Sequence, residues 1–525
     1  MEKNRSVQSE NSSGGRILFL SLLALLCVSC ASTVKVPHEM VPHLIALDGD
    51  GDSYEIEVSK PAASSTGTTD DQEEVLEPIS FEDHLDKIKN GIKGSGKKNV
   101  LIYVHGGLKG MKGSVKNAVM IKKVMEAVNL ESRKDDYYPV FVNWESGMLT
   151  SYGDHLWKIR QGRVARTLGP LSSPFYFLAD MGRALTRAPA TLGFQIYNGA
   201  KRVPVATNGA IHTASRQGFN EISLGENTWD ASKYAQDSSS YLFPGVAKIV
   251  TTPLLDAIGK GGWDNMLRRT QTVFRTSGEF KKDIFEDDIN ENRFGRLPTG
   301  GLARLMAKLQ ELPDKDDYKV TLVGHSMGTI ILNQLIRMYG GEKDLKYDRI
   351  VYMAAACTMK DFQASVIHYM EEHDKTKFYN LTLHPVAEER ENVSYDILPR
   401  GSLLAWIDDF ATNPASFEER TLGRWNNMFR ILHTIQNDGV RERIHLKGFG
   451  LEDKKTNNRC EIIGKDNDLL VENITLPMDC EKMGLKTIID KPQQHGDFND
   501  PDQLFWLSDY WKAPSNNNAP QVSGD

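Results

Sequence analysis

Residues 321–332 read Thr321-Leu322-Val323-Gly324-His325-Ser326-Met327-Gly328-Thr329-Ile330-Ile331-Leu332, and their reading decides the fold class. The apolar run from Val320 to Val323 has the character of a buried strand, and it ends in a G-x-S-x-G pattern, Gly324 to Gly328. Ile330, Ile331, Leu332, Leu335 and Ile336 follow at helical spacing, up to a stop near Gly340. A strand that passes through a tight turn straight into a helix leaves room beside the turn only for residues almost without side chains. Such a turn holds Ser326 Oγ clear of the backbone, and the helix N-terminus behind it favours developing negative charge. Ser326 is therefore the candidate nucleophile.

Further strands lie on either side. Asn99-Val100-Leu101-Ile102-Tyr103-Val104 is a continuous apolar run, as expected of a strand covered on both faces, and it ends in His105-Gly106-Gly107-Leu108. Tyr138 to Trp144, Arg349 to Ala356, Phe378 to Leu383 and Lys486 to Asp490 read as strands too, the last of them just before His495-Gly496-Asp497-Phe498. Strands alternating with helical patterns predict an α/β fold with a doubly wound, mostly parallel sheet.

From about residue 85 to 511 the chain resembles an α/β-hydrolase of the bacterial serine esterase/lipase type. Gly-His-Ser-Met-Gly, the His-Gly-Gly loop, Ala356 to Phe362 and His-Gly-Asp-Phe carry the likeness. The resemblance implies Ser326 as nucleophile and His495, after the last strand, as the base that takes its proton. It implies backbone N–H groups of Met327 and of the Gly106-Gly107 loop as oxyanion donors. His384 and His433 are rivals to His495, whereas His105 and His325 lie inside the motifs and shape the loops. Family topology puts the acid after Leu383, where Glu388 is the first choice; Glu389, Asp396, Asp408 and Asp361 compete. No cofactor and no metal is implied. Asp48-Gly49-Asp50-Gly51-Asp52 reads as a turn between the runs ending at Leu47 and starting at Tyr54.

The chain departs from the family in the long stretch before the elbow. Residues 85–149 and 263–512 read as the hydrolase core, and 150–262 as a large helical cap insertion. Lys158, Arg160, Arg163, Arg166, Arg183, Arg187, Lys201 and Arg202 there are interleaved with Trp157, Phe175, Tyr176, Phe177 and Leu185. A basic, aromatic cap suggests a membrane surface or an anionic acyl ester. The bland alternative is a lid with its apolar face on the core and its arginines in water. A second insert, 438–483, carries Cys460 and Cys480, which could pair in an oxidising compartment, while Cys357 reads as a core thiol.

At the amino terminus, Lys3, Arg5 and Arg16 precede the apolar run Ile17 to Cys30, too short to span a bilayer permanently and shaped like a secretory signal. Leu26-Cys27-Val28-Ser29-Cys30-Ala31 resembles a bacterial lipobox, with Cys27 where leucine is usual. That resemblance implies a signal in 1–30, lipidation at Cys30 and a place in the cell envelope on the outer membrane; ordinary cleavage nearby is the alternative. Residues 31–84 read as leader and flexible linker, and 513–525 as a disordered tail. With 40% hydrophobic and 25% charged residues the chain is globular, and a net charge of −7 argues against nucleic acid as a partner. The expected activity is hydrolysis of carboxylic esters, lipid esters and thioesters included, through an acyl-enzyme. The alternative is an inactive, envelope-anchored binding or scaffold protein.

Overall fold

A computed structural model shows how these segments assemble. It describes residues 33–59, 76–132, 136–160, 163–164, 172–191, 193, 222–224, 246–275, 299–342, 344–391, 401–412, 414–432, 434–450, 458–462, 470–474, 486–489, 492, 494–501 and 504–506. Cys30 and the leader before it, the linker at 60–75, Asp396, His433, Cys480, much of 150–262 and the tail at 513–525 lie outside the described residues.

One sheet organises the chain. Its strands are β1 (Leu44–Leu47), β2 (Asn99–Val104), β3 (Tyr137–Trp144), β4 (Ile222–Leu224), β5 (Lys319–His325), β6 (Tyr347–Met353), β7 (Lys377–Leu383) and β8 (Ile444–Phe449). Their order is β1-β3-β2-β5-β6-β7-β8-β4, and every neighbouring pair is parallel. The fold class is thus α/β with an all-parallel sheet. All eight residues of β3 are buried, and so are all of β2 and β5 but the first, which explains why these strands read as unbroken apolar runs.

Three segments differ from the sequence expectation. Residues 33–59 are not a leader: Thr33–Pro37 and Glu55–Ser59 pair in a small sheet with Leu76–Ile79, and β1 joins the main sheet. Leu44, Ile45 and Leu47 are fully buried there, an apolar gain of roughly 5–8 kcal/mol as an upper bound. The Asp48–Asp52 turn between them closes on its own first side chain, Asp48 Oδ1 accepting the N–H groups of Asp50 and Asp52. The last strand of the main sheet is β8, inside the region expected to be an insert. Lys486–Ile489 instead pairs antiparallel with Asn458–Ile462 in a separate sheet. The expected boundary at 262/263 falls inside a 27-residue helix.

The helices that matter for the site are α1 (Phe81–Ser95), α2 (Met111–Ser132), α3 (Met148–Trp157), α4 (Val246–Thr272), α5 (Gly301–Gln310) and α6 (Gly328–Tyr339). α1 starts where Ser80 Oγ accepts the Asp83 N–H, ends at Gly96 in the left-handed region (φ 69°), and buries Leu85, Ile88 and Ile92 on one face. Arg269 of α4 is buried, with Nη2 2.7 Å from Asp154 on α3 and Nη1 donating to the Glu145 carbonyl just past β3. That charge-assisted pair ties α4 and α3 to the C-terminal edge of the sheet.

The strand order reverses between β2 and β5. From β2 the chain moves one way, to β3; from β5 it moves the other way, to β6, β7 and β8. In open parallel sheets the crevice at the C-terminal ends of two such strands is where ligands bind. The Gly106-Gly107 loop and Ser326 flank that crevice.

Candidate active site

The elbow forms as its residues dictate. Ser326 has φ 49°, in the left-handed region that a side chain makes costly, and its turn is fastened on both sides. Its N–H donates to the Met353 carbonyl at 2.9 Å, and its carbonyl accepts from Thr329 Oγ1 at 2.7 Å and from the Ala356 N–H at 3.1 Å. Gly328 has no room for more than hydrogen, because a Cβ there would stand 2.3 Å from the Val104 carbonyl oxygen and 2.8 Å from that of His105. We expect Gly328→Ala to cost about 1–3 kcal/mol in a urea unfolding titration, since backbone must shift to admit the methyl. An unchanged midpoint would mean that the helix does not pack this closely on β2.

His495 reaches the serine. Its Nε2 lies 3.0 Å from Ser326 Oγ across 169 residues of sequence. It opens a short helix, His495–Asn499, held by a reciprocal cap between Gln494 and Asp497 and by Tyr103 on β2, whose hydroxyl donates to Asn499 Oδ1 at 2.8 Å. Both partners are buried, Ser326 1% and His495 5% exposed. Burial alone pushes the imidazole down to about 4, so it is neutral at physiological pH and able to take a proton. With Nε2 facing the serine hydroxyl, the neutral ring carries its proton on Nδ1, and Nδ1 is a buried donor without a partner among the described residues.

The other two histidines of the motifs are committed elsewhere. His105 Nδ1 donates to the Gly106 carbonyl at 2.7 Å, its Nε2 accepts the Trp144 N–H at 3.1 Å, and burial pushes it down to about 4. His325 Nε2 donates to the His495 carbonyl at 3.1 Å, and burial with the nearby His495 holds its ring far below the ordinary histidine range. Gly106 is pressed on this pair: a Cβ there would meet His325 Nδ1 at 2.6 Å and Ser326 Cβ at 2.9 Å. Gly107 would likewise meet Met327 Sδ at 2.8 Å. The glycine loop is therefore against the elbow, and the Met327 and Gly107 N–H groups donate to no acceptor among the described residues.

The acid expected from sequence is not brought to the histidine. Glu388 is buried, with Oε1 accepting from Ser402 Oγ at 2.9 Å and Oε2 from Arg424 Nε at 3.4 Å. Arg424 also binds Asp408 at 3.2 Å, and Asp408 accepts the Thr421 N–H at 2.9 Å, so both carboxylates serve one buried network. Asp361 pairs with Arg337 and accepts from Asn333 Nδ2. The carboxylate that touches His495 is Glu391, whose Oε2 accepts the His495 backbone N–H at 3.2 Å. Burial pushes Glu391 up to about 8, with the Glu388 and Asp497 charges adding to the rise. It sits three residues beyond Glu388, just past the short helix Pro385–Arg390, and that i, i+3 spacing was its only signal in sequence.

A cavity of about 390 Å³ opens beside the elbow, between Trp263 and Leu267 of α4 and the Ile330, Ala356 and Cys357 side. Its size suits a small ligand. Ser326 is not among its lining residues, although the Ala356 N–H holds the Ser326 carbonyl. Cys357 is a buried free thiol, pushed up to about 12 by burial, and so a core residue. No helix of the described residues is long and apolar enough to cross a membrane. Comparison with family profiles, curated proteins and solved structures finds no match, so the site rests on its own geometry.

Proposed function

We propose that this chain is a serine hydrolase of the α/β-hydrolase type that cleaves carboxylic esters through an acyl-enzyme on Ser326. The observation that carries the reading is the 3.0 Å contact of His495 Nε2 with the hydroxyl of a serine held at positive φ, in the crevice where the strand order reverses. Ser326 Oγ attacks the ester carbonyl while its proton passes to His495 Nε2. The Met327 and Gly107 N–H groups stabilise the oxyanion. The tetrahedral intermediate expels the alcohol, which takes the proton from His495, and water then repeats the sequence on the acyl-enzyme with His495 as base.

Glu391 completes the triad in this reading. A carboxylate already held on the His495 backbone N–H needs only to turn its second oxygen to the ring to satisfy the orphaned Nδ1–H, an interaction that stabilises the imidazolium. In this reading the 390 Å³ cavity, lined on one side by Trp263 and Leu267 of α4, receives part of the substrate. Cys30 carries the lipid that fixes the protein in the envelope.

One observation favours the second reading, an inactive scaffold: His495 Nδ1 has no acceptor among the described residues. Labelling by a fluorophosphonate probe decides between them. In the chain from Ala31 onward we expect covalent labelling that is abolished in Ser326→Ala and sharply slowed in His495→Ala. A folded wild-type chain that stays unlabelled would leave the scaffold reading standing.

A further inference from the structure

Seven large apolar side chains are exposed among the described residues, on segments that leave the C-terminal edge of the sheet, the edge that carries Ser326, or on helices packed against those segments. Leu108 follows β2, Leu149 is on α3, Leu254 is on α4, and Phe175, Tyr176, Leu178 and Leu185 are on the helix 172–191. That helix leaves an apolar stripe outside, although Ala184 on its opposite side is fully buried. Phe175 is 73% exposed, Leu178 65% and Leu185 60%, and their spacing of three and seven places them on one face.

Its inward side is mixed, Ser173, Asp180 and Ala184 flanked by the part-buried Arg183 and Arg187. Arg183 Nη2 donates to the Asp256 carbonyl on α4 at 3.1 Å, and Arg187 lies 3.6 Å from the Asp256 carboxylate, which is wholly buried. Asp180 binds His155 at 3.0 Å and Tyr152 at 3.2 Å on α3, and Ser173 Oγ donates to the Leu156 carbonyl at 2.6 Å. Polar contacts thus fix the orientation of the helix, and rotation to bury the apolar stripe would strand Asp256 without its arginines. An exposed stripe of this kind marks a surface that something apolar covers.

The path of the N-terminal chain indicates what covers it. Tyr54 follows the turn after β1, donates its N–H to the Ala46 carbonyl and its hydroxyl to Glu145, just past β3, so it sits at the C-terminal edge. Glu55–Ser59 then runs away from that edge, and Thr33–Pro37 pairs with it in parallel, Thr33 beside Glu55. His43, at the far end, binds the Pro139 carbonyl near the start of β3. The chain therefore enters the fold at the same edge as the site. Cys30 stands three residues before Thr33, a span of at most about 10 Å.

We propose that the stripe Phe175, Leu178 and Leu185, with Leu149 and Leu254 beside it, docks on the lipid bilayer in which the Cys30 anchor sits, so that the crevice faces the membrane. The proposal rests on the lipid-anchor reading and not on the hydrolase one. A helix lying in the interface buries its apolar face to about 5–10 Å, within the reach of so short a tether. The inward arginines mean that attraction comes from apolar burial more than from charge.

The test is flotation of the chain from Ala31 onward, which lacks the anchor, with vesicles of phosphatidylethanolamine and phosphatidylglycerol. Wild type is expected to float and to remain bound at high salt. The triple variant Phe175→Ser, Leu178→Ser, Leu185→Ser is expected to bind at least about tenfold more weakly, with an unchanged thermal melt because all three side chains are exposed. Equal flotation of wild type and variant overturns the proposal. So does a wild-type chain that stays in solution as a monomer, which would mean that the chain covers its own stripe, or as a dimer dissolved by the triple variant, which would mean that a second copy does. Fluorophosphonate labelling without vesicles is expected to be the same in both chains. Flotation without labelling would remove the hydrolase reading and leave this one.

Discussion

Ser326→Ala is expected to lower the rate of ester hydrolysis by about a millionfold, the scale seen when a triad nucleophile is removed. The chain is expected to keep its fold. Among the described residues the hydroxyl bonds only the His495 ring, whereas the turn is held by backbone contacts to Met353, Thr329 and Ala356 that alanine leaves intact. Ser326→Gly separates the chemistry from the strain. Alanine keeps the penalty of φ 49° and glycine removes it, so the glycine variant should be more stable than the alanine variant by about 1 kcal/mol in urea while equally inactive. Hydrolysis that survives in Ser326→Ala would exclude Ser326 as nucleophile. A glycine variant less stable than alanine would show that the turn stores no strain.

Glu391→Gln should reduce kcat/KM by about a thousandfold to ten-thousandfold, because the ring loses the charge that stabilises its protonated form. Glu388→Gln should do something different. It breaks into a buried network around Arg424 and is expected to cost about 3 kcal/mol of stability, with kcat/KM of the folded fraction little changed. The pH profile separates the roles further. Glu391 gains its charge as pH rises through about 8, so the wild-type rate should climb towards that pH, and the climb should vanish in Glu391→Gln.

Stability runs the opposite way. A carboxyl whose folded pKa is raised binds its proton more tightly in the native state than in the unfolded chain. The stability it lends is complete below the ordinary carboxyl range and is lost as pH rises through about 8. The Gln variant, which has nothing to ionise, should therefore melt higher than wild type at alkaline pH while hydrolysing more slowly, a gain of stability at the expense of function. Loss of rate in Glu388→Gln at unchanged stability, with Glu391→Gln active, would return the acid to Glu388.

The strands flanking the crevice and the elbow itself were legible in sequence because their determinants are local. Burial on both faces leaves an unbroken apolar run, and a strand that turns directly into a helix needs glycine on both sides of Ser326. The same reasoning placed β2, β3, β6 and β7, whereas His495 came only from the resemblance, which put it after Lys486–Asp490, a strand that lies outside the main sheet. It failed for Ile444–Phe449, whose buried and half-buried residues alternate at first, and for Leu44–Leu47, a strand of four residues. So short a run has the same composition in a leader as in a sheet, and only the neighbour β3 decides.

What the tertiary structure alone determined is which of several equivalent residues faces which partner. Glu388 and Glu391 are three positions apart and chemically alike; closing a loop of 104 residues puts His495 on one, while Arg424 takes the other. The helix at 172–191 has one apolar stripe and one mixed side with Asp180, Arg183, Ala184 and Arg187, and sequence cannot tell which points inward. Asp256, buried on a helix about 70 residues away, turns the arginines in and leaves Phe175, Leu178 and Leu185 outside. Periodicity fixes the faces of an element from within. The direction in which a face points depends on a partner distant in sequence, which periodicity does not record.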